Sequence, residues 1–237
     1  ADPKSTASAE RFSTAFEKSY REAFTALKVT RKRPLMVLDA PQVASRVARL
    51  HGARGATLLA VDALRYDLGL RVEQRLQQAL HGAGVLAERV LFWSALPSVT
   101  PVQLRLLARG PQGLSEPPDK NDLQEDQMVM PGGRASGLVR RIRVGGRELH
   151  KLDVVRADLA GNGPSEPERL EALAEAVALP VARFAMALAP RTLLFLFGDH
   201  GFVLPRNEVG TGPAEQGGAR PEEVLVPGQA WLIGGVH

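Results

Sequence analysis

Two periods run through the apolar positions of this chain. Over residues 9–29, Phe12, Phe16, Tyr20, Phe24 and Leu27 recur at helical spacing, which predicts an amphipathic helix whose aromatic face packs on a core. Elsewhere the apolar residues form short continuous runs. Those at 35–38, 56–61, 89–93, 140–144, 149–155, 193–197 and 230–233 read as strands, the fourth and fifth joined by a Gly145-Gly146 turn. Helical spacing returns over 42–50, 70–80, 102–108 and 166–188. Pro101 gives the third of these a start signal, and the acidic start of the last suits the helix dipole. Strands alternating with helices predict a mostly parallel sheet with helices on both faces. Residues 31–34 read as a basic, solvated link. Residues 110–137 carry many turn formers and no period, as expected of a mobile loop insertion.

The run at 193–197 is apolar at every position, as in a central strand buried on both faces. It stops at Gly198, and Asp199, His200 and Gly201 follow. Ligands of open α/β sheets bind beyond the carboxyl ends of the strands. Three other segments end similarly, presenting Asp62, Thr100 and Asp158. Three carboxylates and an imidazole suit one or two divalent cations, zinc or manganese. A Thr hydroxyl beside such a metal becomes a nucleophile on losing its proton. Such a centre fits a substrate that gains charge on oxygen in the transition state, a phosphoryl or sulfuryl ester. Plainer roles stay open: Asp62 and Asp158 as caps, Thr100 as an N-cap before Pro101, and Asp199-His200 as a polar turn.

Composition narrows the class. The chain has 237 residues, 44% of them hydrophobic and 24% charged, enough for one sizeable α/β domain or two small ones. The net charge is +4 and Arg supplies most of the cations, through compositional bias or a preference for phosphate. Few aromatics argue against a base-stacking platform for single-stranded nucleic acid. The absence of Cys excludes disulfides and thiolate metal sites. No apolar run is long enough to span a membrane. The polar start, without Met, suggests a piece of a longer protein with further domains as partners.

Four segments carry a resemblance. VDALRYD (61–67), LPSVTP (96–101), GDHGF (198–202) and GGARPEEVLVP (217–227) resemble, in order, the PglZ domain of the alkaline phosphatase superfamily. The resemblance covers about residues 34–237 and leaves 1–33 as an N-terminal helical segment or linker, a candidate surface for a homodimer. It implies an alkaline-phosphatase-like three-layer α/β/α sandwich with a mostly parallel central sheet and a binuclear metal centre. It also implies a cytoplasmic bacterial protein of phage defence or signalling, where some such domains act as phosphodiesterases on nucleotides. Carried over by position, Asp62, Asp199 and His200 form one metal site, with Thr100 as nucleophile and shared ligand. Asp158, Asn162 and Gln216 stand at the second.

The resemblance is incomplete at that second site. The superfamily usually places His or Asp at the position of Asn162 and His at that of Gln216. Neutral amides are poor zinc ligands, so the first site reads as intact and the second as depleted. His150 is the nearby imidazole that could substitute, or it is an exposed residue at a polar turn. Two functions therefore compete. One is a metal-dependent phosphodiesterase or phosphatase using Thr100. The other is a catalytically inactive PglZ domain that binds a nucleotide or scaffolds a partner. A phosphomutase or sulfatase relative would share the core, but the PEEVLVP ending fits PglZ better.

Overall fold

The computed structural model describes residues 3–30, 32–116, 139–207 and 210–234. The aromatic period at the N-terminus becomes helix α1 (Pro3–Thr30). After it come α2 (Ala40–Leu50), β1 (Gly55–Val61), α3 (Tyr66–Leu80), β2 (Gly84–Trp93) and α4 (Thr100–Arg109). The second half holds β3 (Val139–Val144), β4 (Arg147–Leu152), α5 (Val154–Asp158), α6 (Glu166–Met186), β5 (Thr192–Gly198), α7 (Pro221–Val224) and β6 (Leu225–Ile233). Most of the loop expected at 110–137 lies outside the described residues; its first five, Gly110–Leu114, form a short 3-10 helix.

The six strands make one sheet in the order β2-β6-β5-β1-β4-β3. Its centre is parallel: β1 pairs with β5 on one side and β4 on the other. The flanks are antiparallel, so the sheet is mixed. Strand β5 shows why the core has two sides. Successive side chains of a strand point to opposite faces. Leu194 and Leu196 join α3 and α6 residues such as Leu68, Val72, Leu173 and Val177 in one cluster. Leu193, Phe195 and Phe197 join Val43 and Val47 of α2 and Leu104 and Leu107 of α4 in the other. Helices thus cover both faces of an α/β sheet.

Three expectations are corrected. Residues 35–38 are not a strand: Met36 makes a single bridge to Trp93, and Val37–Asp39 wind into a 3-10 turn. There the Asp39 carboxylate accepts the Met36 N–H at 2.9 Å and pairs with Arg33. The last strand does not start at Ala230 but at Leu225, and it lies between β2 and β5 rather than closing an edge. Pro227 and Gly228 hide this by reading as breakers. Pro227 is tolerated because pairing with β5 begins only at Gly228, so the proline has a strand partner on one side alone. Finally, β4 stops at Leu152, not Val155, and Asp158 ends a short helix instead of a strand.

Helix α1 lies against the segment that follows β2. Tyr20 is buried and its hydroxyl donates to the Ser94 carbonyl at 2.6 Å. Phe16 stacks on Trp93 with centroids 5.4 Å apart. The predicted aromatic face is therefore packed from Phe16 to Leu27, while Phe12 is exposed.

Candidate metal centre

Register brings the first carboxylates together. Val61 pairs with Gly198 on one side and with Leu152 on the other, so Asp62, Asp199 and Asp153 leave three adjacent parallel strands at the same edge. Strand β2 points the same way, and the loop after it delivers Thr100 to that edge. Gly198 is required there because a Cβ would lie 2.3 Å from the Leu64 carbonyl oxygen. The chain turning after β1 passes directly over it.

Asp62, Asp199 and His200 are buried, and one ligand atom from each lies within 4.8 Å of the others. Among the described residues this is the group of such side chains able to hold a metal ion. Asp62 Oδ1 is 3.4 Å from His200 Nε2, and Asp199 Oδ2 is 3.9 Å from the same nitrogen. The Thr100 hydroxyl donates to Asp62 Oδ1 at 3.1 Å and lies 3.1 Å from His200 Nε2. Thr100 is the first residue of α4 and is buried; Val99 is the N-cap, so its hydroxyl faces the acids instead of capping the helix.

The backbone fixes the outer atoms of this group. Asp199 Oδ1 accepts N–H groups from Ala63 at 3.0 Å and His200 at 2.8 Å. Its other oxygen, Oδ2, is buried with no hydrogen-bond partner. A buried carboxylate oxygen left without a donor is costly, and a cation removes the cost. His200 Nδ1 lies 2.8 Å from the Gly201 carbonyl oxygen, which places its proton there and leaves Nε2 as the ligand atom. Two carboxylate oxygens and one imidazole nitrogen, with a hydroxyl beside them, form a donor set that could hold a divalent cation.

Charge is arranged unevenly around Asp62. Burial would raise its carboxyl, but the His200 hydrogen bond and the charges of Lys151, His200 and Arg156 outweigh that and hold it well below the usual range. Burial pushes Asp199 up against the opposing charge of His200, and the neighbouring Asp62 charge adds to the rise. Burial would lower His200, yet the two carboxylates and the Gly201 carbonyl raise it to about 9 in the metal-free protein.

The residues expected at a second site are exposed. Asp158 has a 58% exposed side chain and faces the buried Arg169 at 3.4 Å. Asn162 and Gln216 are both exposed. Asp158 does not belong to the buried Asp62-Asp199-His200 group. His150 is half-buried with its ring on Phe184, centroids 4.7 Å apart, and burial lowers its pKa.

Two site residues escape sequence reading. Lys151 is 1% exposed, with Nζ 3.3 Å from Asp62 Oδ2 and 2.6 Å from Asp153 Oδ1. Asp153 is the true strand-end acid of β4. The rule that selected Asp62 and Asp199 selects it as soon as β4 is ended at Leu152. The signal for Lys151 is a lysine within an otherwise buried strand end, one residue before its last position.

Other motif residues build the frame. Arg65 is buried and grips Asp67 through two bonds, at 2.6 and 2.9 Å, and Glu166 at 2.8 Å. Glu223 accepts N–H groups from Gly218 at 2.8 Å and Arg220 at 3.2 Å, and so folds the GGARPEE turn beneath the site. A Cβ on Gly201 would lie 1.9 Å from the Glu222 carbonyl oxygen, so this turn and the GDHGF segment touch through backbone.

No family model matches the chain, and no curated protein is significantly similar to it. Among the described residues no helix is long and apolar enough to cross a membrane. Fold and site together define an α/β protein with a buried Asp-Asp-His cluster at the carboxyl edge of its parallel strands, able to hold a metal ion.

Proposed function

We propose that this chain is a metal-dependent phosphoric ester hydrolase domain, a phosphodiesterase or phosphatase of the PglZ type, with Thr100 as its nucleophile. The observation that carries the reading is the convergence of Thr100 with Asp62, Asp199 and His200, a buried hydroxyl 3.1 Å from both Asp62 Oδ1 and His200 Nε2. A divalent ion held by the two carboxylates and His200 would supply Lewis-acid stabilisation of charge on the substrate oxygens. Asp62 orients the Thr100 hydroxyl. The Thr100 oxygen bonds to phosphorus as the ester oxygen leaves and takes up a proton, while the hydroxyl proton passes to solvent. Water then cleaves the new phosphorus–oxygen bond and restores Thr100. Arg156, 55% exposed and 3.7 Å from Asp62 Oδ2, stands where it can meet an anionic ester oxygen. A nucleotide is the substrate class that the family likeness favours, in a cytoplasmic setting of bacterial defence or signalling.

The exposure of Asn162, Gln216 and Asp158 favours a second reading, a domain that binds a phosphate ester or scaffolds a partner without cleaving it. One experiment separates the two. Protein loaded with zinc or manganese is assayed with bis-p-nitrophenyl phosphate and with p-nitrophenyl phosphate, with and without chelator. Metal-dependent turnover of either ester supports the hydrolase. Metal binding without turnover of any phosphate ester leaves the binding module.

A further inference from the structure

The two oxygens of Asp62 serve different partners. Oδ1 faces the Thr100 hydroxyl and His200 Nε2, the side where a metal ion would sit. Oδ2 faces the ammonium of Lys151 at 3.3 Å and, farther out, the guanidinium of Arg156 at 3.7 Å. A carboxylate that bridges two cations in a binuclear centre divides its oxygens in the same way. Here one of the two positions is held by a protein cation.

Lys151 is built for that place. Its backbone lies beside Ala60, one position short of the strand end, so the side chain runs along the sheet to reach the acids. A buried ammonium is costly unless carboxylates compensate it. Lys151 has Asp62 on one side and Asp153 Oδ1, at 2.6 Å, on the other. Asp153 is itself anchored by Arg140. Of the residues expected to hold a second ion, Asp158 faces Arg169, and Asn162 and Gln216 are exposed.

We infer that Lys151 is the fixed second cation of this centre, holding Asp62 so that Oδ1 serves a single divalent ion. The inference rests on the metal-binding reading above. It makes Lys151 a positioning residue: it acts through Asp62 and excludes a second ion from the space between Asp62 Oδ2 and Asp153 Oδ1.

The test is manganese stoichiometry by elemental analysis, with electron paramagnetic resonance of the loaded chain as the second readout. Wild-type protein should hold one ion and give the six-line spectrum of an isolated manganese. Lys151→Glu places a third carboxylate beside Asp62 and Asp153, and stoichiometry should rise from one to two, with the broadened, coupled spectrum of a close pair. Should circular dichroism show that Lys151→Glu does not fold, Lys151→Gln removes the charge at similar volume and should likewise take up more than one ion. Two ions and a coupled spectrum in wild type would overturn the inference while leaving the metal reading intact. A folded Lys151 variant that still holds one ion would overturn it too. No bound ion in wild type would remove the metal reading, and this inference with it.

Discussion

Val61 and Gly198 are register partners in the parallel centre of the sheet, and this pairing delivers Asp62 and Asp199 to the same buried point. Two carboxylates forced together out of water repel each other. The fold tolerates them because Lys151, Arg156 and His200 surround Asp62, while Asp199 has two backbone N–H groups on one oxygen and His200 3.9 Å from the other.

Asp199→Asn should therefore separate stability from metal binding. The amide oxygen can still accept from Ala63 and His200, and the buried charge beside Asp62 is gone. In chelator at about pH 10, where His200 is neutral and gives Asp199 no cation partner, the variant should be more stable than wild type, by about 1–2 kcal/mol in urea denaturation. Its affinity for zinc should fall by more than about 100-fold, since the carboxylate oxygen left without a donor is lost as a ligand. A variant destabilised in chelator, with unchanged affinity, would mean that Asp199 is structural.

His200 sets the pH response of the metal-free chain. Its folded pKa of about 9 lies above the ordinary value of 6.5. The protonated form is thus favoured by folding, chiefly through Asp199 and Asp62. This stabilisation is fully present below pH 6.5 and is lost as pH rises through 9. Unfolding free energies from urea denaturation in chelator should fall between pH 6.5 and 9, by a few kcal/mol in all, and His200→Gln should flatten that decline. A metal ion needs the neutral imidazole, so zinc affinity should move the opposite way and strengthen over the same interval.

Arg65 lies inside the VDALRYD segment yet holds scaffold, not ligand. It joins the start of α3, through Asp67, to the start of α6, through Glu166, and its guanidinium lies 5.3 Å from the Phe202 ring centroid. Arg65→Ala should cost about 1–3 kcal/mol, less than breaking a fully buried pair, because Asp67 and Glu166 keep partial contact with water. Arg65→Lys should recover part of this, because an ammonium cannot make the two-pronged contact with Asp67. Metal stoichiometry of the folded fraction should stay at the wild-type value in both. Loss of the metal in Arg65→Lys would place Arg65 in the site.

The parallel core and its acids were legible because each signal was local. The apolar run 193–197 ends at a glycine, and 56–61 ends at Asp62, so strand and site announce themselves within a few residues. What was hidden depends on long-range pairing. Strand β6 carries Pro227 and Gly228, and only its insertion between β2 and β5 shows why both are accepted. The end of β4 is masked over three residues because Val154 and Val155 continue the apolar run into a helical turn. The longer run points to Asp158 in place of Asp153 and hides Lys151 inside the strand. Period alone cannot tell a buried strand end from the first turn of a buried helix.

Thr100 gives the sharpest functional test, because its hydroxyl has partners in the site and none in the capping of α4. Thr100→Val keeps the volume and branching and removes only the hydroxyl. The helix should form as before, and Asp62 keeps Lys151 and Arg156, so the loss of stability should stay near 1 kcal/mol. Metal binding should persist through Asp62, Asp199 and His200. Turnover of the phosphate ester should fall by at least about a thousandfold, since a covalent route has no substitute nucleophile. Thr100→Ser retains the oxygen without the methyl and should keep measurable turnover. Mass spectrometry of the rapidly quenched serine variant should then find a phosphorylated residue at position 100. Equal rates in wild type and Thr100→Val, with full metal occupancy in both, would assign attack to water and leave Thr100 as a ligand-side hydrogen-bond donor.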